Sequence, residues 1–229
     1  LYRVIGLYMD FNKLLRLGLK GLRAEALARR EIAAKNGGDE ALFTGMIMAL
    51  DSLKGLCLRY AALAEETAGA AREEQRRQDM QVLAAALRAI AERAPETFVE
   101  ALQLAWLYIM VSGCLNYGRM DDYMGDFLAA DLEAGRITEA KALAYLQSLW
   151  RILAARKTVF HGRVVIGGKG RHNEANADRF ALLAIEASRT VGEIEPQLSL
   201  RFYKGQNEAL MEKALDCIGQ GRTYPMLYN

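Results

Sequence analysis

Residues 97–111 restrict the fold more than any other part of the sequence, because this segment is apolar on nearly every side. Its apolar residues are Phe98, Val99, Ala101, Leu102, Leu104, Ala105, Trp106, Leu107, Ile109 and Met110. Pro95 predicts where the segment begins, since proline is tolerated in the first turn of a helix and pushes the preceding residue out of the helical region. A helix that is apolar all round must be buried. We therefore expect it to lie inside a large body, with more covering surface than 229 residues provide.

Three amphipathic helices are predicted before this segment. The first begins after Asp10, which can accept backbone N–H bonds as its cap, and we expect it to be frayed or bent near Gly18 and Gly21. The second begins after Asp39. Its predicted apolar side consists of Leu42, Met46, Leu50, Leu53, Cys57 and Tyr60. The third occupies residues 72–93, and its face of Glu and Arg side chains is typical of solvated surface. Residues 1–112 are thus predicted to be mainly a helical scaffold.

Helices and two strands are predicted to alternate in residues 113–229. Small and polar residues at 112–118 indicate a turn. Strands are predicted near 159–166, where β-branched residues are frequent, and near 197–202, where apolar and polar residues alternate. The residues expected to begin helices are Thr138, Asn173 or Asn176, and Asn207. The pattern predicts an α-rich α/β fold, with residues 1–229 forming a single partial domain.

The composition excludes several classes of protein. The chain has 30 basic and 28 acidic side chains without a sustained block of one sign, so we expect no nucleic-acid partner. Charged residues interrupt the apolar runs before the roughly 20 residues that a membrane span needs, and no signal-peptide pattern is present, so we expect no membrane partner. The three scattered cysteines fit neither a disulfide framework nor a zinc site, which indicates a cytoplasmic protein. The chain opens at Leu1 without an initiator Met, so we expect a piece of a longer protein.

Two motifs could indicate chemistry, but their spacing favours structural roles. The glycine-rich residues 167–170 follow a strand and precede a helix, yet they match neither the dinucleotide fingerprint nor the phosphate loop, and we interpret them as a turn. Asp121 and Asp122 could be paired carboxylates. Neighbours on a helix point about 100° apart, so we do not expect an acid/base pair.

The histidines and cysteines give little evidence for a reactive centre. His161 and His172 are the only histidines, and no acidic residue stands at the spacing of a helical metal site, so we expect no metal. Cys114 lies in a turn of small residues, unlike Cys57, which lies on an apolar helix face. Spacing alone leaves both a structural and a functional role open for Cys114.

Several stretches of the sequence, taken together, resemble glycyl radical enzymes of the pyruvate formate-lyase-like superfamily. The resemblance centres on Gly-Arg-Met-Asp-Asp-Tyr at 118–123 and on Asp-Leu-Glu-Ala-Gly-Arg-Ile-Thr at 131–138. Other matching stretches follow the order of the family and lie at residues 10–19, 95–103, 165–168, 195–201 and 225–229. The matches cover nearly the whole chain. Each is weak alone, and their common order makes the resemblance specific.

The resemblance implies that the helical N-terminal region leads into the first strands of a glycyl-radical-enzyme-type α/β barrel. In this family the barrel consists of two antiparallel half-sheets wrapped by helices. One loop inside it carries a thiyl cysteine and another carries the radical glycine. Neither loop is recognisable in the chain, so we expect no catalytic residue and no bound cofactor here, and an inactive isolated chain. The whole enzyme is expected to carry a glycyl radical installed by an S-adenosylmethionine iron–sulfur activating enzyme.

The resemblance also implies a lyase or dehydratase that acts on a small polar substrate in anaerobic metabolism. The expected partners are this small molecule, the activating enzyme and, as a possible assembly, a second copy in a homodimer. A formate acetyltransferase proper is the alternative among enzymes. A catalytically inactive helical scaffold used for assembly is the alternative outside them.

Candidate residues of the substrate pocket follow from the same resemblance, and they are Cys114, Asn116, His161, Arg163 and Arg201. Two of these positions depart from known members. Gly113 and Cys114 stand where glycerol-dehydratase-like members have a His-Ser pair, and His161 stands where pyruvate formate-lyase has Trp. Neither glycerol nor pyruvate is therefore the expected substrate.

Overall fold

The structure is a computed structural model that describes residues 8–114, 116–157 and 162–229. The chain divides into two compact units. One unit is Asp10–Val111, and the other is Ser112–Asn229 together with residues 8 and 9. The interpretation of the chain as one partial domain stays a prediction.

The first unit consists of helices, as its sequence predicts. These are α1 (Phe11–Lys35), α2 (Ala41–Ala70), α3 (Glu74–Glu92) and α4 (Phe98–Ser112), whose last residue belongs to the second unit. Asp10 caps α1, accepting a hydrogen bond from the backbone nitrogen of Lys13 at 2.9 Å. The predicted bend is at Gly18, whose φ of 61° interrupts the helix. A Cβ on Gly18 would lie 2.7 Å from the Cα of Ala94, so glycine also allows the two backbones to approach.

Helix α4 is largely inaccessible to solvent, as its all-round apolar sequence predicts, and Val111 is its one exposed residue. Its buried residues are Phe98, Glu100, Ala101, Leu102, Leu104, Ala105, Leu107 and Ile109. The one carboxylate among them has partners, because Arg93 donates to both oxygens of Glu100 at 2.8 and 2.9 Å. This ion pair offsets the cost of burying a charge in the helix.

The predicted apolar side of α2 is buried only in part. Leu53 and Cys57 are buried, whereas Leu42, Met46 and Tyr60 are exposed. With 30 residues α2 is about 45 Å long, while α3 has 19 residues and is about 28 Å long, so α3 cannot cover the whole of α2. The apolar pattern shows which face is apolar, but it does not show how far the neighbouring helix extends.

Helix α2 does not fit the expectation that no apolar run is long enough for a membrane span. Among the described residues it is the one helix whose length and composition would allow it to cross a membrane, and only 17% of its most apolar 18-residue stretch is buried. The argument from interrupted apolar runs therefore fails for α2. A single helix of this kind is weak evidence for a membrane span, since helices of soluble proteins have the same properties. The absence of a membrane partner stays a prediction.

The second unit alternates strands and helices. Its strands are β1 (Asn116–Arg119), β2 (Arg163–Gly167), β3 (Leu198–Arg201) and β4 (Met226–Tyr228). Its helices are α5 (Met120–Glu133), α6 (Glu139–Ala155), α7 (Glu174–Val191) and α8 (Glu208–Gly219). Three of the predicted caps are confirmed, because Thr138, Asn173 and Asn207 each accept a backbone hydrogen bond at the start of α6, α7 and α8. The α-rich α/β architecture agrees with the sequence pattern.

The four strands form one parallel sheet in the order β1-β2-β3-β4. Strands β2 and β3 were predicted, although residues 159–161 of the first predicted strand lie outside the described residues. Strands β1 and β4 were not predicted. Asn116 and Gly118 have low strand propensity, and β4 is only three residues long, so neither gives a clear pattern.

The two faces of the sheet differ in burial. Val164, Ile166, Leu198 and Leu200 are fully buried on one face. Side chains alternate between the faces of a strand, and registered neighbours share a face. The other face therefore carries Arg119, Arg163, Val165, Ser199, Arg201, Met226 and Tyr228. We call it the open face, because Arg163, Arg201, Met226 and Tyr228 on it are exposed.

Candidate functional site

The Gly-Arg-Met-Asp-Asp-Tyr motif at residues 118–123 joins the end of β1 to the start of α5. Arg119 is the last residue of β1, and its guanidinium crosses to the loop that follows β2. Its Nη2 donates to the carbonyl oxygens of Gly167 at 2.9 Å and Gly168 at 3.2 Å, and its Nη1 donates to that of Lys169 at 3.0 Å. One arginine therefore holds three successive carbonyls of the glycine-rich segment.

Asp121 holds the same segment from the first turn of α5. Its buried Oδ2 accepts from the backbone nitrogen of Gly167 at 2.7 Å and from Nη1 of Arg171 at 3.1 Å. Arg171 also contacts Asp178 at 2.7 Å, and its Nε donates to the carbonyl oxygen of Gly168 at 3.0 Å. Burial raises the pKa of Asp121 to about 6, although the Gly167 N–H and the charge of Arg171 favour the ionised form.

Asp122 has a separate partner. It accepts from the backbone nitrogen of His172 at 2.7 Å, and both its oxygens lie 3.1 Å from Nδ1 of the His172 ring. Asp121 and Asp122 thus bind different residues of one loop, in agreement with the expectation that they are not an acid/base pair. We call Arg119, Asp121, Asp122 and Arg171 the loop clamp, because together they fix residues 167–172.

The loop clamp explains the glycine-rich motif. The carbonyls of Gly167, Gly168 and Lys169 point to arginines, and the Gly167 N–H is bound by Asp121. A phosphate loop needs free backbone N–H groups that converge on the ligand. These contacts support the interpretation of residues 167–170 as a structural turn.

The described candidate pocket residues lie at two opposite ends of the sheet. Cys114 is buried just before β1, and its Sγ donates to the carbonyl oxygen of Asn116 at 3.5 Å. The Cα of Asn116 is registered with that of Arg163 at the start of β2. The structure therefore brings Cys114, Asn116 and Arg163 together at the amino end of the sheet. His161 lies outside the described residues.

Arg201 lies at the opposite end. It is the last residue of β3 and is registered with Gly167 and Tyr228. Because Gly167 is four residues beyond Arg163 in β2, Arg201 and Arg163 are about 13 Å apart along the strands. They share the open face but do not form one cluster.

Three polar residues of the open face were not among the candidates from the sequence, and they are Arg119, Ser199 and Tyr228. Ser199 could have been found, since it stands two residues before Arg201 in a predicted strand. Tyr228 belongs to β4, which was not predicted. Residues 8–114, 116–157 and 162–229 contain no group of three or more His, Cys, Asp or Glu side chains that could hold a metal ion.

Comparison with curated proteins shows relatives that are lyases and dehydratases. The (2S)-3-sulfopropanediol dehydratase of Klebsiella oxytoca is 29% identical over 247 residues, which cover 97% of this chain and 30% of that protein. An isethionate sulfite-lyase of Nitratidesulfovibrio vulgaris is 25% identical over 248 residues, covering 96% of this chain and 30% of that protein. The chain thus spans about a third of the length of these relatives.

Solved structures show the same fold. A structure concerned with 1,2-propanediol dehydration in Roseburia inulinivorans has a TM-score of 0.87 at 23% identity, covering 98% of this chain and 31% of that chain. The glycerol-bound B12-independent glycerol dehydratase of Clostridium butyricum has a TM-score of 0.84 at 21% identity, covering 99% of this chain and 31% of that chain. The predicted fold class, a helical region leading into a glycyl-radical-enzyme-type barrel, is confirmed.

The family comparison covers almost the whole sequence. The family described as Pyruvate formate lyase-like matches residues 2–229. This match agrees with the motif at residues 118–123, with the relatives and with the fold. The chain therefore belongs to the pyruvate formate lyase-like family of glycyl radical enzymes.

Proposed function

We propose that this chain forms the helical scaffold and the first barrel strands of a longer glycyl radical lyase or dehydratase that acts on a small polar substrate. The observation that carries this proposal is the family match over residues 2–229. The relatives named as dehydratase and sulfite-lyase support the reaction class, and the chain covers 30% of each of them.

The chain's own residues would position the substrate rather than react with it. In such an enzyme a protein glycyl radical, installed by an S-adenosylmethionine iron–sulfur activating enzyme, supplies hydrogen-atom abstraction through a cysteine on another loop. The open face would form part of the inner wall, with Arg163 and Arg201 directed toward the substrate. The loop clamp would keep this wall rigid, because it fixes the end of β2 next to Arg201.

Cys114 and Asn116 would lie where the wall begins. The thiol of Cys114 contacts the backbone carbonyl of Asn116, and this contact holds the turn before β1. Asn116 stands beside Arg163. His161 completes the proposed set of pocket residues. A cytoplasmic location and a homodimer belong to the same proposal.

The alternatives differ in what they predict for the whole protein. A formate acetyltransferase would react with an acyl donor instead of releasing water or a leaving group. An inactive assembly module is favoured by the exposed apolar residues of α2, which offer a surface for another helix.

Anaerobic activation tests the proposal directly. The complete protein that contains this sequence is incubated with its activating enzyme, S-adenosylmethionine and a reductant, and electron paramagnetic resonance is recorded. We expect a glycyl radical signal that requires S-adenosylmethionine, followed by conversion of a small hydroxylated substrate. A folded protein that never gives a radical would support the assembly module, and acyl transfer from pyruvate to coenzyme A would support the acetyltransferase.

A further inference from the structure

The charged residues that the strands place on the open face are all basic. The four strands contain three arginines, Arg119, Arg163 and Arg201, and no acidic residue. The register places all three on the open face. Clustered positive charge on a wall of low dielectric constant attracts anions more strongly than the same charges dispersed in water.

Arg119 and Arg201 lie close together over Gly168. Nη2 of Arg119 and Nε of Arg201 are each 3.5 Å from the position that a Cβ on Gly168 would take, so the two atoms are no more than twice that distance apart. Arg119 cannot turn away without breaking its three bonds to carbonyl oxygens. Two cations are therefore held side by side at the carboxyl edge of the sheet.

The nearby carboxylates already have partners. Asp121 and Asp178 both contact Arg171, and Asp122 binds His172. Glu174 accepts a hydrogen bond from the Tyr203 hydroxyl at 3.1 Å. In the part of the chain that the structure describes, no carboxylate lies within 4.0 Å of a nitrogen of Arg201, whose side chain is exposed.

Hydroxyl groups flank Arg201 on the same face. Tyr228 is registered beside it on β4, and Ser199 stands two residues before it on β3. Guanidinium and hydroxyl groups together provide several hydrogen-bond donors for one oxyanion, and an arginine can bind two of its oxygens at once. A neutral ligand would gain less from the charge of Arg201 than an oxyanion would.

We propose that Arg201, with Ser199 and Tyr228, binds the anionic group of the substrate, a sulfonate or a carboxylate, in the positive field of Arg119. This inference rests on the proposed function and names its substrate class, a small organic anion. Arg163, about 13 Å away along the strands, is outside this subsite and would face another part of the substrate.

Titration of the complete protein that contains this sequence, without its activating enzyme, tests the inference without any radical chemistry. The probes are methanesulfonate, acetate and the neutral dimethyl sulfone, and the readout is the NMR shift of arginine Nε–H groups. We expect both anions to bind at one site, with the neutral probe at least tenfold weaker. The stronger of the two anions identifies sulfonate or carboxylate as the preferred group.

Two variants locate the site. Arg201→Gln is expected to weaken anion binding about tenfold, because it removes a charge-assisted hydrogen bond. Arg151→Gln removes an exposed arginine from α6 in the same unit and should leave binding unchanged. Melting temperatures of both variants show that they are folded. Equal binding by Arg201→Gln and the unchanged chain, equal affinity for dimethyl sulfone, or no binding of either anion would overturn the inference.

Failure of this test and failure of the proposed function can be told apart. A protein that forms the radical but shows no anion binding at Arg201 would be a glycyl radical enzyme for a neutral substrate. A chain that binds anions at Arg201 but never carries a radical would retain the subsite and lose the proposed reaction.

Discussion

The carboxylate of Asp121 on α5 binds the backbone nitrogen of Gly167 at the end of β2, with 2.7 Å between the oxygen and the nitrogen. These residues are 46 positions apart in the sequence. Their contact makes the end of β2 depend on the first turn of α5. Because Arg201 is registered with Gly167, the same contact supports the proposed anion subsite.

Arg171→Leu should strongly destabilise the second unit. The side chain of Arg171 is 1% exposed and pairs with two carboxylates, so its loss leaves Asp121 and Asp178 without their shared cation. Breaking a buried ion pair in this way costs about 3–5 kcal/mol of unfolding free energy. Urea unfolding followed by Trp150 fluorescence, in a Trp106→Phe background, measures this unit because the chain has two tryptophans.

The control for Arg171 is Arg151→Leu, which removes an exposed arginine from α6. Its unfolding free energy should change by no more than about 0.5 kcal/mol. Similar unfolding curves for the two variants would show that the buried ion pairs do not stabilise the unit.

The stability of the unit should fall as the pH rises from about 4 to about 6. Burial raises the pKa of Asp121 from its usual 3.8 to about 6, so the folded chain holds a proton that the unfolded chain has released. The stabilising contribution is complete below the unfolded pKa and is lost as the pH passes through the folded one. The loss amounts to about 3 kcal/mol.

Asp121→Asn isolates this contribution. The variant does not titrate at this position. The unchanged chain should therefore lose more unfolding free energy than the variant as the pH rises from 4 to 7. Arg189 and Lys213 lower the pKa of Glu186 to about 2, which acts in the opposite direction at lower pH, but it is common to both proteins and cancels. Parallel pH profiles would contradict the raised pKa.

Gly167→Ala should disrupt the end of β2. The new Cβ would lie 2.4 Å from the carbonyl oxygen of Arg201, and Gly167 has a φ of 74°. Backbone strain alone costs about 1–2 kcal/mol, and the contact with a fixed backbone atom adds to it, so we expect a total of about 3 kcal/mol or more. Chemical denaturation monitored by Trp150 gives the value.

Gly170→Ala separates the two causes. Gly170 has a φ of 79°, but no neighbouring atom lies within 4 Å of the place that its Cβ would take, so only backbone strain of about 1–2 kcal/mol should remain. If both alanine variants lost equal stability, the close approach of Gly167 to β3 would have no energetic effect.

Gly125→Ala and Gly55→Ala should have opposite effects, although both glycines are helical. A Cβ at Gly125 in α5 would lie 2.8 Å from the backbone nitrogen of Ala177 in α7, so helix packing must open. At Gly55 in α2 no atom lies within 4 Å, and alanine should stabilise the helix by about 0.5–1 kcal/mol. Thermal unfolding measures both, and a lower melting temperature for Gly55→Ala would contradict the packing of α2.

Local signals in the sequence were sufficient for much of the helical structure. Asp10, Thr138 and Asn207 were predicted as caps from their position before apolar runs, and each accepts the expected type of bond. Fraying or a bend was predicted near Gly18 and Gly21, and α1 bends at Gly18. These features depend on residues within one or two turns of each other, which explains why a single sequence contains the information.

Contacts between distant segments could not be predicted in the same way. The resemblance identified the motif at residues 118–123, but only the structure shows that Arg119 and Asp121 hold a loop about 50 residues away. Strand β1 was not predicted, for a related reason. Its pairing with β2, rather than its own composition, makes it a strand.

The strands lie side by side in the order in which they occur in the sequence. A chain emerging from the ribosome can therefore place each new strand against one that is already present, without passing under an earlier crossover. Such a sheet can assemble stepwise during synthesis, and β4 is the edge that forms last among these four.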